Sequence, residues 1–76
     1  MIMTNEEKKK LAELYLKEKV KCRLVERRPS GKQSHFTGWI TNVSGDYLTF
    51  VEENNKEIYS LIDFIEDLFP VTRGER

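Results

Sequence analysis

In residues 36–51, two runs of β-branched and aromatic side chains flank a short polar turn. The turn is Ser44-Gly45-Asp46, and its glycine can adopt the positive φ that tight hairpins require. The segment therefore predicts two antiparallel strands joined by a hairpin. Because 76 residues make one small domain, we expect this twisted hairpin to be part of a compact β-barrel.

Side-chain alternation along the hairpin predicts a core face and an outer face. The core face holds Gly38, Ile40, Asn42, Leu48 and Phe50. The outer face holds Trp39, Thr41, Val43, Tyr47, Thr49 and Val51. The aromatic rings of Trp39 and Tyr47 can pack against a helix or another subunit, or they can stack on unpaired bases.

A helix and a first strand are predicted before the hairpin. Thr4 and Glu7 have the spacing of a capping box, which predicts a helix over about residues 5–18 with an apolar stripe at helical spacing. Residues 20–27 then predict a strand. Its inward positions are Val20, Cys22 and Leu24, and its mainly solvated positions are Lys21, Arg23, Glu26 and Arg27.

The last apolar segment, residues 57–71, fits either an amphipathic helix or strands. We prefer a fourth strand at 57–61, a 3₁₀ turn near 62–64 and a fifth strand through Phe69 and Val71. Apolar residues on both sides of the segment suit a closing strand better than a one-sided helix. Residues 73–76 are predicted to be a frayed tail.

The predicted fold is therefore a single, mainly β domain over residues 1–76. An N-terminal α-helix precedes a five-stranded, strongly bent antiparallel small barrel at about 19–72. The expected core consists of Val20, Cys22, Leu24, Ile40, Leu48, Phe50, Ile58, Ile65 and Leu68. Gly38 is expected to permit close strand packing or a sharp bend.

Composition limits the classes of function. One cysteine excludes an intramolecular disulfide, and neither a membrane-length apolar run nor a secretory leader is apparent, so we expect a cytoplasmic protein without membrane contact.

Cys22 is expected to be a small packing residue and His35 a surface residue. No residue pair has zinc-site spacing, so we expect no metal and no cofactor. The carboxylates Asp63, Glu66 and Asp67 are expected to be solvated or to protect a sheet edge, and we expect no enzyme activity.

Charge is unevenly distributed although the net charge is zero. Residues 1–37 hold ten Lys/Arg and five Asp/Glu, whereas residues 38–76 hold three and eight. This asymmetry can create a basic face that attracts nucleic acid, or complementary faces between subunits; alternatively, folding interleaves the halves and cancels the field. The candidate RNA-binding residues are Arg23, Arg27, Arg28, Lys32, Trp39 and Tyr47.

A helix followed by five short strands, with a glycine early in the second strand, resembles the Sm-like family, which includes LSm proteins and Hfq. The resemblance is carried by residues 20–24 and 38–40, by the apolar strand at 47–51, and by Ile58-Tyr59 ahead of Phe69-Pro70. It implies RNA binding by a homo-oligomer in which the fourth strand of one subunit pairs with the fifth of the next.

Three features depart from Hfq. Hfq-like sequences hold an Asp six positions after the strand-two glycine and an aromatic residue two positions further on, whereas this sequence holds Ser44 and Asp46 there. The Tyr-Lys-His triplet of Hfq corresponds to Tyr59-Ser60-Leu61, so its RNA-contacting Lys and His have no counterpart, and the loop before Gly38 is longer. Residues 31–38 are also similar to the C-terminal barrel of RimP. The leading hypothesis is a non-enzymatic, Sm-like RNA-binding homo-oligomer. The alternative is a small-barrel protein-interaction or assembly module without nucleic-acid binding.

Overall fold

The computed structural model of the protein describes residues 4–71. The described chain is one α-helix followed by a five-stranded antiparallel sheet, so the predicted fold class is confirmed. The elements are α1 (Asn5–Glu18), β1 (Cys22–Arg27), β2 (Gln33–Ser44), β3 (Tyr47–Glu52), β4 (Glu57–Leu61), a 3₁₀ turn (Ile62–Phe64) and β5 (Ile65–Pro70). The predicted tail at 73–76 lies outside the described residues.

Helix α1 begins at the capping box that the sequence predicts. The Thr4 hydroxyl accepts from the Glu7 amide at 3.1 Å, and the Glu7 carboxylate accepts from the Thr4 amide at 2.9 Å. These bonds satisfy amides that lack partners inside the helix. Buried Ala12 and Tyr15 lie on the face that joins the core, so α1 packs against β2, β5 and the 3₁₀ turn. Among residues 4–71, no helix is long and apolar enough to cross a membrane.

The sheet is strongly bent, and its long strand β2 is the central strand. Strand order is β4-β3-β2-β1-β5, and Gly38 in the middle of β2 pairs with both Cys22 of β1 and Glu52 of β3. A Cβ atom at this glycine would lie 2.0 Å from the Val51 carbonyl oxygen, so no side chain fits. Within residues 4–71, β4 and β5 do not pair with each other, and the sheet stays open between them.

The core largely follows the sequence prediction. Seven of the nine expected core residues are buried, while Val20 and Ile58 are partly buried and pack against the others. Alternation also predicted Val43 on the outer face, and this was wrong. A bulge between Ile40 and Asn42 shifts the register, so Val43 packs against the core and Asn42 is exposed.

Glu26 is the clearest correction within β1. We expected a solvated side chain, but only 1% of its surface is exposed. Glu26 lies two positions after buried Leu24, so strand alternation alone directs it inward. The prediction of a solvated Glu26 follows from the charge of the side chain, and it disregards the inward position that alternation gives this residue.

The C-terminal segment forms strands, so the alternative helix is wrong. Strand β4, the 3₁₀ turn and β5 occupy the positions that the preferred interpretation predicts. Ile62 is buried, and its amide donates to the Asp46 carbonyl at 2.7 Å. This bond holds the end of β4 against the β2–β3 turn, where Gly45 has the predicted positive φ of 55°.

Candidate interaction surfaces

The six candidate RNA-binding residues lie at three separate places on the sheet. Arg27, Arg28 and Lys32 lie at the β1–β2 loop, and Arg23 and Trp39 lie on the outer face. Tyr47 lies at the β2–β3 turn. Arg27 pairs with the first residue of β2 and Tyr47 with its last, so the 12-residue strand separates them. The six side chains therefore do not form one surface.

Arg27 holds the loop to β5. Its Nε donates to the Glu66 carboxylate at 3.0 Å, and its Nη1 donates to the Gly31 carbonyl at 3.2 Å. Gln33 donates to the other oxygen of Glu66 at 2.5 Å. The hydrogen bond from Arg27, followed by that from Gln33, keeps the pKa of Glu66 below its usual value. Two of the five N–H donors of the Arg27 guanidinium are therefore used inside the protein.

Arg28 lies above a buried carboxylate. Its Nε donates to Glu26 Oε1 at 3.3 Å, and its guanidinium carbon lies 5.9 Å from the centre of the Phe64 ring. The other carboxylate oxygen of Glu26 accepts from the Ser60 hydroxyl at 2.8 Å. The side chain of Arg28 remains 54% exposed, although its carboxylate partner is buried. Sequence reasoning missed this network because Ser60 and Glu26 are 34 residues apart.

The loop that carries Arg28 is tight. The Arg28 amide donates to the Lys32 carbonyl at 3.0 Å, and the Gly31 amide donates to the Arg28 carbonyl at 2.8 Å. Gly31 has a φ of 94°, which a residue with a side chain rarely adopts. Lys32 is exposed, and its backbone is fixed opposite that of Arg28.

The outer face of β1 and β2 brings one cation, Lys21, close to the aromatic ring of Trp39. The Lys21 ammonium lies 5.8 Å from the centre of the Trp39 ring and also forms an ion pair with Glu53. Arg23 is exposed, and in the sheet it lies opposite Thr37 on one side and Phe69 on the other. Sequence alternation placed Arg23 and Trp39 on this face correctly, but it did not identify Lys21 or Phe69 as their neighbours.

The two edge strands expose apolar side chains. On β4, Tyr59 and Leu61 are 64% and 44% exposed, and on β5 Phe69 is 40% exposed. The Tyr59 ring is stacked on Tyr47, with 6.1 Å between ring centres and 28° between planes. The two tyrosines and Leu61 line a shallow cleft of about 260 Å³ together with Ser60. Tyr47 is therefore part of an apolar patch on the β4 side of the sheet.

A cleft of about 630 Å³ lies between the start of α1 and the β2–β3 turn. Glu6, Asp46 and Asp63 line it, with Lys9 as the one basic residue. The Asn5 amide donates to the Asp63 carboxylate, so one acidic group is already partnered. An acidic cleft of this kind repels phosphate. Among residues 4–71, no cluster of three or more His, Cys, Asp or Glu could hold a metal ion.

Cys22 is fully buried, which confirms the packing role that the sequence predicts. Burial raises the pKa of its thiol from 9.0 to about 11, because the interior disfavours the thiolate. Burial also raises the pKa of the nearby Tyr15 phenol, and the proximity of Cys22 and Asp67 adds to that shift. A thiol held in its protonated form is a poor nucleophile.

No protein-family model, curated protein or solved structure matches the chain. Three surfaces of residues 4–71 are therefore the candidates for binding. These are the β1–β2 loop, the outer face around Arg23 and Trp39, and the edge strands β4 and β5.

Proposed function

We propose that the chain is a non-enzymatic, Sm-like assembly module in which β4 of one copy pairs with β5 of the next. The observation that carries the proposal is the open sheet, whose two edges lack strand partners within residues 4–71. Unpaired edge strands present free N–H and C=O groups and readily pair with another chain. Pairing between copies would give the free N–H and C=O groups of both edge strands hydrogen-bond partners.

Side chains at the edges support this proposal. Tyr59 and Leu61 on β4 and Phe69 on β5 are apolar and substantially exposed, so association would remove apolar surface from water. Carboxylates on β5 oppose association between copies by electrostatic repulsion, but one of them has a cationic partner. Glu66 forms an ion pair with Arg27, whose positive charge partly offsets the repulsion that this carboxylate exerts on an incoming strand.

The test is the molar mass in solution, measured by light scattering and sedimentation at micromolar concentrations. We expect the wild type to exceed the 9.0 kDa of one chain. Tyr59→Lys and Phe69→Lys should each shift the mass toward the monomer, because each places a charge in the apolar contact. Leu14→Lys is the matched control, since Leu14 is an exposed apolar residue on α1. A monomeric wild type, or an equal effect of the control, would overturn the proposal.

RNA binding by the assembled module is a second candidate, favoured by the cluster of Lys21, Arg23 and Trp39 on the outer face. Exposed Arg23 would contact a phosphate, whereas Lys21 is already paired with Glu53. The indole ring of Trp39 would stack on an unpaired base for about 1–3 kcal/mol. Such an arrangement binds single strands with little preference for sequence. It requires neither a metal nor a cofactor.

Fluorescence anisotropy with single-stranded oligouridylate at several salt concentrations tests this second candidate. Arg23→Ala should weaken binding and flatten the salt slope by about 0.7 for one lost phosphate contact. Trp39→Ala should weaken binding without changing the slope, because stacking releases no counterion. Lys10→Ala removes a charge from the exposed surface of α1 and serves as the control. Absence of binding by the wild type at low salt would exclude this candidate.

A further inference from the structure

We propose that Arg28 and Lys32 form a site for one phosphate group of single-stranded RNA, and that buried Glu26 is the positioning residue that orients Arg28. This proposal rests on the RNA-binding candidate but adds a second contact surface, at the β1–β2 loop. The Arg28 guanidinium is held by a hydrogen bond to Glu26 and by its position over the Phe64 ring.

One edge of the Arg28 guanidinium is fixed and the other is available. The Nε atom donates to Glu26 Oε1 at 3.3 Å, and the guanidinium lies over the Phe64 ring at 5.9 Å. Within residues 4–71, this is the single hydrogen bond that the side chain makes. Its terminal nitrogens therefore keep the planar pair of N–H donors that binds phosphate in a bidentate manner.

Lys32 supplies the second positive charge. The backbone hydrogen bond from Arg28 to Lys32 places the two residues opposite each other at the base of the loop. Residues 27–35 contain three Lys/Arg and no Asp/Glu, so no carboxylate within this segment competes with an arriving anion. Although Glu66 on β5 lies near this segment, Arg27 and Gln33 already donate to it. The exposed chemistry of the loop therefore suits an anion.

Glu26 cannot itself contact the ligand, because it is 1% exposed and lies beneath Arg28. Its position is set from the other side by Ser60, whose hydroxyl donates to Oε2 at 2.8 Å. The orientation of a surface arginine thus depends on a buried pair that joins β1 to β4. A disturbance of that pair should weaken phosphate binding without altering any exposed charge.

The experiment measures the affinity of fluorescein-labelled oligouridylate at low and moderate salt. Arg28→Lys keeps the charge but removes the planar donor pair, so we expect about tenfold weaker binding with an unchanged salt slope. Lys32→Ala should weaken binding and flatten the slope by about 0.7, whereas Lys10→Ala on α1 should leave both nearly unchanged. If Arg28→Lys binds as the wild type does, the site is wrong although the RNA-binding candidate stands. If the wild type does not bind at low salt, both fail.

Two buried substitutions test the positioning role. Ser60→Ala changes no charge, and we expect it to weaken binding in protein whose folding is verified by near-ultraviolet circular dichroism. Glu26→Gln makes the protein one unit more positive, so a purely electrostatic effect would tighten binding, whereas loss of orientation would weaken it. Tighter binding by Glu26→Gln, or wild-type affinity in Ser60→Ala, would overturn the positioning role. Polyglutamate that binds with the same dependence on Arg28 would overturn the assignment to phosphate.

Discussion

The hydroxyl of Ser60 donates a hydrogen bond to Oε2 of Glu26 at 2.8 Å, which joins β4 to β1 although two strands separate them in the sheet. Such a contact requires the strong bend of the open sheet, which brings these two strands together. The hydrogen bond between Ser60 and Glu26 therefore links the two sides of the bent sheet, although the backbones of β4 and β5 do not pair. Both residues are almost fully buried, so the bond is shielded from water.

Ser60→Ala tests the energetic importance of this bond. The substitution leaves a buried carboxylate oxygen without its donor, and we expect the free energy of unfolding to fall by about 1–3 kcal/mol. Urea denaturation monitored by circular dichroism provides the measurement. Ser44→Ala is the control, because Ser44 is exposed at the end of β2 and should change stability by less than about 0.5 kcal/mol. Equal stability of the two variants would show that the buried bond contributes nothing.

Gly38→Ala tests the close approach of β2 and β3 at this glycine. The added methyl group would meet the Val51 carbonyl oxygen at 2.0 Å, and a backbone atom cannot move aside as a flexible side chain can. We expect a loss of about 3 kcal/mol or more, at the upper end of the overpacking range. The comparison is Gly45→Asn, where the space around the Cβ is open and asparagine tolerates the positive φ. A Gly38→Ala variant as stable as Gly45→Asn would contradict the close approach of β2 and β3.

Local signals in the sequence predicted most of the fold. The capping box of Thr4 and Glu7 and the positive-φ turn at Gly45 act over a few residues, so a linear pattern contains them. The inward position of Glu26 was also visible, because alternation from Cys22 through Leu24 leads to it. Its partner Ser60, however, is brought near only by the bend, and no local pattern predicts that contact.

The candidate site was less predictable for the same reason. The sequence predicts Arg27 and Arg28 as RNA-binding residues, but in the structure each has a carboxylate partner from a distant or inward-facing position. The exposed tyrosine pair likewise depends on the register between β3 and β4, which places Tyr47 near Tyr59. Composition identifies charged and aromatic residues, whereas the register of the sheet decides which of them are neighbours.

Leu48→Ala tests the centre of the core. Leu48 is fully buried on β3, so truncation removes apolar contacts and leaves a cavity. We expect the free energy of unfolding to decrease by about 2–5 kcal/mol, a large part of the stability of a domain this small. Leu14→Ala removes the same atoms from an exposed position on α1 and should have little effect. Similar losses in the two leucine variants would contradict the burial of Leu48.

Alkaline pH tests the burial of Cys22. Its folded-state pKa is raised to about 11, whereas the thiol of the unfolded chain titrates near 9.0. The unfolded state therefore loses its proton first as the pH rises. The stability that the protonated thiol contributes is fully present below about pH 9 and is lost progressively toward about pH 11.

We compare the free energy of unfolding of the wild type with that of Cys22→Ala at each pH. The stability of the wild type relative to the variant should be constant near neutral pH and should decrease between about pH 9 and pH 11. Urea titrations at each pH measure it. The alanine variant carries the same lysines, and the part of the Tyr15 pKa shift that Cys22 causes belongs to the measured difference. A thiol reagent should also modify native Cys22 only as fast as the protein opens, because the side chain is inaccessible. Rapid modification of the native protein, together with a pH-independent difference, would show that the thiol is exposed in solution and that β1 does not pack as described.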